Sequence, residues 1–188
     1  EINRIRFGFL SYTMGTNVKM SESDEYMVSL YKSNYSSVVT EQDKLKMKEQ
    51  IEELKKEVDV TILLMHWGQE YTFTPNNTQK DLAKFFNTLG VDIVVGNHSH
   101  NIQPIEWIGD EHKTLVYYSL GNFVSADGDI PRTTTTFNNA YQLGLLSQLI
   151  ITKEDDLITI SDVTTEPIIN YYDSNLRNFQ LIPFHLYT

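Results

Sequence analysis

Three of the five histidines in this 188-residue chain fall in two short segments, His66-Trp67-Gly68 and Gly96-Asn97-His98-Ser99-His100. Neutral imidazole is a good ligand for zinc, manganese and iron, and three of them make a common ligand set around a divalent ion. Both segments follow directly on apolar runs of β-forming residues, 58–65 and 91–95. In α/β proteins, ligands are bound at the carboxyl ends of neighbouring strands. If His98-Ser99-His100 is extended, His98 and His100 project to the same side, because side chains alternate along a strand. His66 would lie within a strand spacing or two of that pair. Gly68 and Gly96 let the backbone turn sharply and approach a ligand closely. His112, in the charged turn Asp110-Glu111-His112-Lys113, and His185, in the tail, are expected to be structural or solvated.

The elements that must hold these histidines are legible in the hydrophobic pattern. Residues 5–12 (IRFGFLSY) are apolar at nearly every position and predict a strand buried on both faces. Thr40 followed by Asp43 forms a capping box with Asp in place of Glu or Gln, opening a helix to about residue 58. Its apolar stripe is Met47, Ile51, Leu54 and Val58, and the lysines and glutamates around it form a solvated face. A second helix spans 75–89, with Leu82, Phe85, Phe86 and Leu89 on one side and Gly90 closing it. Residues 58–95 are therefore a βαβ unit. Further strands are expected at 103–107, 114–119, 143–152 and 157–165, antiparallel and joined by hairpins. Residues 13–37 should form an irregular covering segment, 133–139 a polar loop, and the tail from 168 carries enough apolar weight to dock on the body. No linker divides the chain, so residues 1–188 are expected to form a single domain of mixed α/β architecture.

Composition narrows the class. With 25 acidic against 15 basic residues the formal net charge is −10, and no Lys/Arg cluster offsets it, so nucleic acid is excluded as a partner. The absence of cysteine removes disulfides, thiolate ligands and thiol nucleophiles together, and suits a bacterial protein working outside the membrane. No apolar run reaches the roughly 20 residues needed to span a bilayer.

The strings Phe7-Gly8-Phe9-Leu10-Ser11-Tyr12-Thr13-Met14-Gly15-Thr16-Asn17, His66-Trp67-Gly68-Gln69-Glu70-Tyr71, Gly90 to His100, Gln103-Pro104 and Tyr118-Ser119-Leu120-Gly121-Asn122-Phe123, with Pro75, Gln79 and Ala83 between them, resemble the CapA/PgsA family of bacterial capsule and poly-γ-glutamate synthesis. The resemblance runs in order over residues 4–165. Ser99 departs from it, standing where that family commonly has proline. The resemblance implies the sandwich of mixed β-sheets flanked by helices found in calcineurin-like metallophosphoesterases. It also implies roles: His66, His98 and His100 as metal ligands, with Glu70 and Asn122 lining the pocket as candidate catalytic groups. Glu70 reads equally as a solvated loop residue, and Asn122 as a turn residue. In such a site two ions (Mn, Fe or Zn) about 3.5–4 Å apart clamp an oxygen of the substrate and activate a water.

The family pattern also needs an Asp-x-His pair, a bridging Asp and an Asn-His pair upstream; no Asp-x-His precedes His66 here, and Asn97-His98 is already used in the downstream motif. The expectation is therefore the C-terminal half of a CapA-like domain, exposing a sheet edge or face that the other half or a second copy covers. Such a half would bind metal weakly and be inactive alone. The implied function is an extracellular accessory protein of capsule or poly-γ-glutamate synthesis or export, anchored to the membrane through a segment absent from this chain. Its partners would be membrane synthase or export subunits and a polyanionic polymer. The alternative is a dinuclear metal-dependent phosphoesterase-type hydrolase. Polymer ligation itself needs ATP, and no phosphate-cradling Gly-rich Lys-Ser/Thr loop is present.

Overall fold

Ile62, Ile93 and Leu115 are register partners on three neighbouring parallel strands, and so face the same way. Residues one step along, such as Leu63, Val94 and Val116, face the opposite way and are each fully buried. A sheet apolar on both faces must be covered on both. In the computed structural model of this chain, which describes all residues except 19, 22, 32–38, 126–139, 174, 176 and 188, helices cover one face and a second sheet the other.

The first sheet has the order β1-β2-β3-β5-β4. Strands β1 (Phe7–Thr13), β2 (Val60–His66), β3 (Ile93–Asn97) and β5 (Thr114–Tyr117) run parallel, and β4 (Ile105–Ile108) is antiparallel to β5. On one face lie α1 (Glu41–Lys55) and α2 (Asn77–Thr88). Met47 and Ile51 of α1 and Leu82, Ala83 and Phe86 of α2 pack with Leu63, Met65, Val94 and Tyr118. Tyr31, from the covering segment, joins the same core. The opposite face packs on the antiparallel sheet β6-β7-β8, of β6 (Leu143–Glu154), β7 (Leu157–Tyr171) and β8 (Gln180–Pro183). Leu149, Ile151, Ile160 and Val163 meet Ile93, Leu115 and Tyr117 there.

Both helices start where their caps say. The Thr40 hydroxyl accepts from the Asp43 N–H. Asn76 and Gln79 form a full reciprocal capping box at α2, each bond 3.0 Å. Lys55 was expected only to face solvent, but its ammonium donates to the carbonyls of Leu89 and Gly90 at 2.8 and 2.7 Å, closing the C-terminus of α2 from the last turn of α1.

Two expectations of the fold are corrected. The 114–119 strand is not purely a hairpin partner, since β5 also pairs parallel with β3. The last long strand does not stop at 165: β7 continues through Pro167 to Tyr171 and recruits β8 from the tail. Proline lacks the N–H that a central strand needs, but β8 begins to pair only at Ile168, so Pro167 is unpaired on that side. The polar loop at 133–139 lies outside the described residues.

Strand β1 forms one edge of the first sheet. Phe9 on it is 58% exposed and Leu64 on β2 is 40% exposed. Beneath them an apolar cleft of about 550 Å³ opens between the two sheets, lined by Phe9, Leu64, Tyr117, Leu120 and Leu146 among others. Among the described residues no helix is long and apolar enough to cross a membrane.

Candidate metal centre

The site is built where the parallel strands end. His66 closes β2 and is in register with Asn97, which closes β3, so the segments carrying the histidines emerge side by side. The His66 carbonyl accepts from the Met14 N–H at 3.2 Å, and the Trp67 N–H donates to Asn97 O at 3.3 Å. Trp67 turns inward, 1% exposed, and its indole Nε1–H donates to Tyr118 O at 2.9 Å. That bond passes directly over Gly96, where an added Cβ would stand 2.2 Å from Tyr118 O and 2.3 Å from Trp67 Nε1. Only glycine leaves room for it.

Gly68 has φ 90°, a conformation L-residues rarely adopt, and lies against the Gln79 amide. Gln79 does two jobs with one side chain. Its Oε1 accepts at the α2 cap, and its Nε2 donates to Gln103 Oε1 at 3.0 Å. Gln103 in turn donates to Thr72 O at 3.0 Å. The two glutamines are 1% and 2% exposed, so this buried amide chain ties the 68–72 turn to α2 and to the 99–103 loop. The Tyr71 N–H adds a bond of 2.7 Å to Ser99 O.

The segment 98–100 is not extended. His98 and His100 both take positive φ, 100° and 56°. The chain leaves β3 in a tight turn in which the Asn97 side chain accepts from the His98 N–H at 2.6 Å and Ser99 Oγ donates to Asn101 O at 2.7 Å. Non-glycine residues held at positive φ cost of order 1–3 kcal/mol, and such outliers cluster at functional sites.

Strand alternation therefore does not govern where the rings go. The His66 and His98 rings lie 4.4 Å apart, while His98 and His100 are 6.5 Å apart. His100 packs against both Tyr71 at 5.7 Å and Tyr141 at 5.3 Å, whose own rings lie 6.3 Å apart. Its Nδ1 lies 2.9 Å from Asn122 Oδ1. Burial, then the neighbouring His66 and His100, push the His98 pKa down to about 4. Burial and His100 also lower His66, against a smaller upward pull from the Glu70 carboxylate. His66 and His98 are thus neutral imidazoles at neutral pH, the form that binds metal.

The fit to a metal is partial. Donor type and protonation state suit a divalent ion, but among the described residues no group of three or more His, Cys, Asp or Glu side chains is arranged to hold one. Glu70 is exposed at the rim. Asn122 is 5% exposed, and it contacts His100 rather than open solvent. His112 and His185 lie elsewhere: His112 Nε2 is 2.9 Å from Val91 O, and His185 pairs with Glu166 at 2.8 Å. Sequence reasoning missed Tyr141, which reaches His100 from beyond a long polar segment and carries no motif, and the pairing of Gln79 with Gln103.

Two packed sheets with helices on one face, and imidazoles at the carboxyl ends of parallel strands, make this a mixed α/β protein. The family model for bacterial capsule synthesis proteins of the PGA_cap type matches residues 1–127, and the chain belongs to that family. It is 45% identical over 78 residues to the PGA biosynthesis protein CapA of Bacillus subtilis (strain 168), a match covering 42% of this chain and 20% of that protein. It is 40% identical over 75 residues to the capsule biosynthesis protein CapA of Bacillus anthracis, covering 39% of this chain and 17% of that one. The matches thus span a fifth or less of the length of these curated relatives.

Proposed function

We propose that this chain serves capsule or poly-γ-glutamate production at the bacterial cell surface as an accessory unit, carrying the histidine side of a divalent-metal site. The observation that carries the reading is the neutral His66–His98 pair, 4.4 Å between rings, on a turn stabilised by buried amides. The family membership and the two CapA relatives support the setting. Mn, Fe or Zn would be held by His66 and His98, with His100 as a third donor. When bound, the ion would supply positive charge to polarise an anionic oxygen.

The remaining ligands would come from the rest of the same domain, seated against the exposed edge of β1 and the apolar cleft beside it. A second copy of the chain in that place would instead show as a dimer in light scattering. With a formal charge of −10 the chain repels a polyanionic polymer unless bound cations bridge the two, which makes metal a condition of polymer contact. Synthase or export subunits in the membrane would supply ligation and anchoring.

A second reading, a dinuclear metal-dependent hydrolase of a phosphoester-type bond, draws on the same histidines, with Glu70 as a candidate group at the rim. Metal analysis and a phosphodiesterase assay on the full-length natural protein, with His66→Ala and His98→Ala, separate the readings. Metal lost in both variants with no turnover in the wild type supports the accessory role. Metal-dependent turnover lost in both supports the hydrolase. Wild-type metal content in both variants overturns the site.

A further inference from the structure

His100 has a hydrogen-bond partner whose orientation is itself fixed. Asn122 is 5% exposed, and its amide touches two groups. One is the backbone carbonyl of Tyr141, 2.7 Å from Nδ2. A carbonyl oxygen only accepts, so the atom facing it must be the NH2 of the amide; a flipped amide would set two oxygens against each other. The atom facing His100 is therefore Oδ1, which also only accepts. It stands 2.9 Å from His100 Nδ1. The proton in that bond must then come from the ring.

We propose that Asn122 is a positioning residue that fixes neutral His100 as its Nδ1–H tautomer, leaving Nε2 as the ring's single lone pair. The stacked rings of Tyr71 and Tyr141, at 22° and 29° to the imidazole, hold its plane while the amide sets its edge. An imidazole that donates from one nitrogen to a fixed acceptor is a better ligand through the other. Asn122 thus acts through His100 rather than on a substrate. What Nε2 then binds, a divalent cation, rests on the metal reading above; the tautomer does not.

The test is a long-range 1H–15N correlation of the imidazoles in 15N-labelled protein, with chelator present, at about pH 8.5, above the ordinary imidazole range. His100 is assigned as the signal lost in His100→Gln. The expected result is a protonated Nδ1 and a pyridine-type Nε2 in the wild type. Asn122→Ala should move the proton to Nε2, the form a free histidine side chain prefers. Asn122→Asp keeps an acceptor in place and should keep Nδ1 protonated. A wild-type His100 protonated on Nε2 overturns the proposal without any variant, as does an unchanged pattern in a folded Asn122→Ala. Zinc chloride is then added to the wild type after the chelator has been dialysed away. The expected tautomer together with shifts that zinc leaves unmoved upholds the positioning role and removes the metal reading alone.

Discussion

The ring of His66, the last residue of β2, crosses the ring of His98, just past the end of β3, at 55° and 4.4 Å between centroids. Nothing local to either residue produces that meeting. It follows from the parallel pairing of β2 with β3, in register at His66 and Asn97, and from a turn that brings His98 back toward the strand it has not left by more than one residue. What holds the turn can be tested before any function is known.

Trp67 spans the site's floor through one hydrogen bond. Trp67→Phe keeps a ring but leaves Tyr118 O buried without the indole donor. Losing one partner of a buried bond costs about 1–3 kcal/mol. Urea denaturation of the variant should show that loss, with an unchanged m-value if the fold is kept.

Gly96→Ala should cost more. Its methyl would meet a backbone oxygen at 2.2 Å and the indole nitrogen at 2.3 Å, and neither is the free end of a flexible chain. The expected destabilisation is about 3 kcal/mol or above, the upper end of overpacking. Near-UV circular dichroism should change as Trp67 is displaced. A variant with wild-type midpoint and spectrum would show that the indole does not pass over this position.

At the other end of the strands, Asp59 joins three elements. It accepts from the Arg6 N–H at 2.8 Å and pairs with the Arg6 guanidinium at 3.1 Å and with Lys153 at 3.0 Å. The Arg6 side chain first, then its N–H, then Lys153 hold this carboxyl well below the usual aspartate range. A folded-state pKa below the unfolded one stabilises the protein above the unfolded pKa and loses that contribution as pH falls toward the folded one. Asp59→Asn should therefore lower Tm by a constant amount from neutral pH down to the ordinary aspartate value near 3.9. Below that the gap to wild type should narrow. A gap that stays the same from pH 7 to pH 3 would contradict the assignment.

How much of this was legible follows element by element. The βαβ unit could be read because α2 has a full apolar stripe closed by Gly90, and because β2 and β3 are uninterrupted apolar runs. Pro167 hid the end of β7, since proline usually ends a strand and only the late start of β8 excuses it here. The parallel pairing of β5 with β3 is non-local, and no periodicity records it. At the site, the sequence placed His66 and His98 at adjacent strand ends but assumed that 98–100 stays extended. The two positive φ values depend on bonds to Asn97 and Asn101 that the spacing alone does not reveal. Asn122 was recognised as part of a motif, while its bonds to the His100 ring and to the Tyr141 carbonyl depend on tertiary packing.

The central claim is that this chain supplies imidazole donors to a divalent ion without the carboxylates that complete the site. Calorimetric titration of Mn²⁺ or Zn²⁺ into the isolated chain tests it directly. The account predicts weak binding at a single site, abolished by His66→Ala and by His98→Ala. Tight binding of two ions, or binding that both substitutions leave intact, would contradict it.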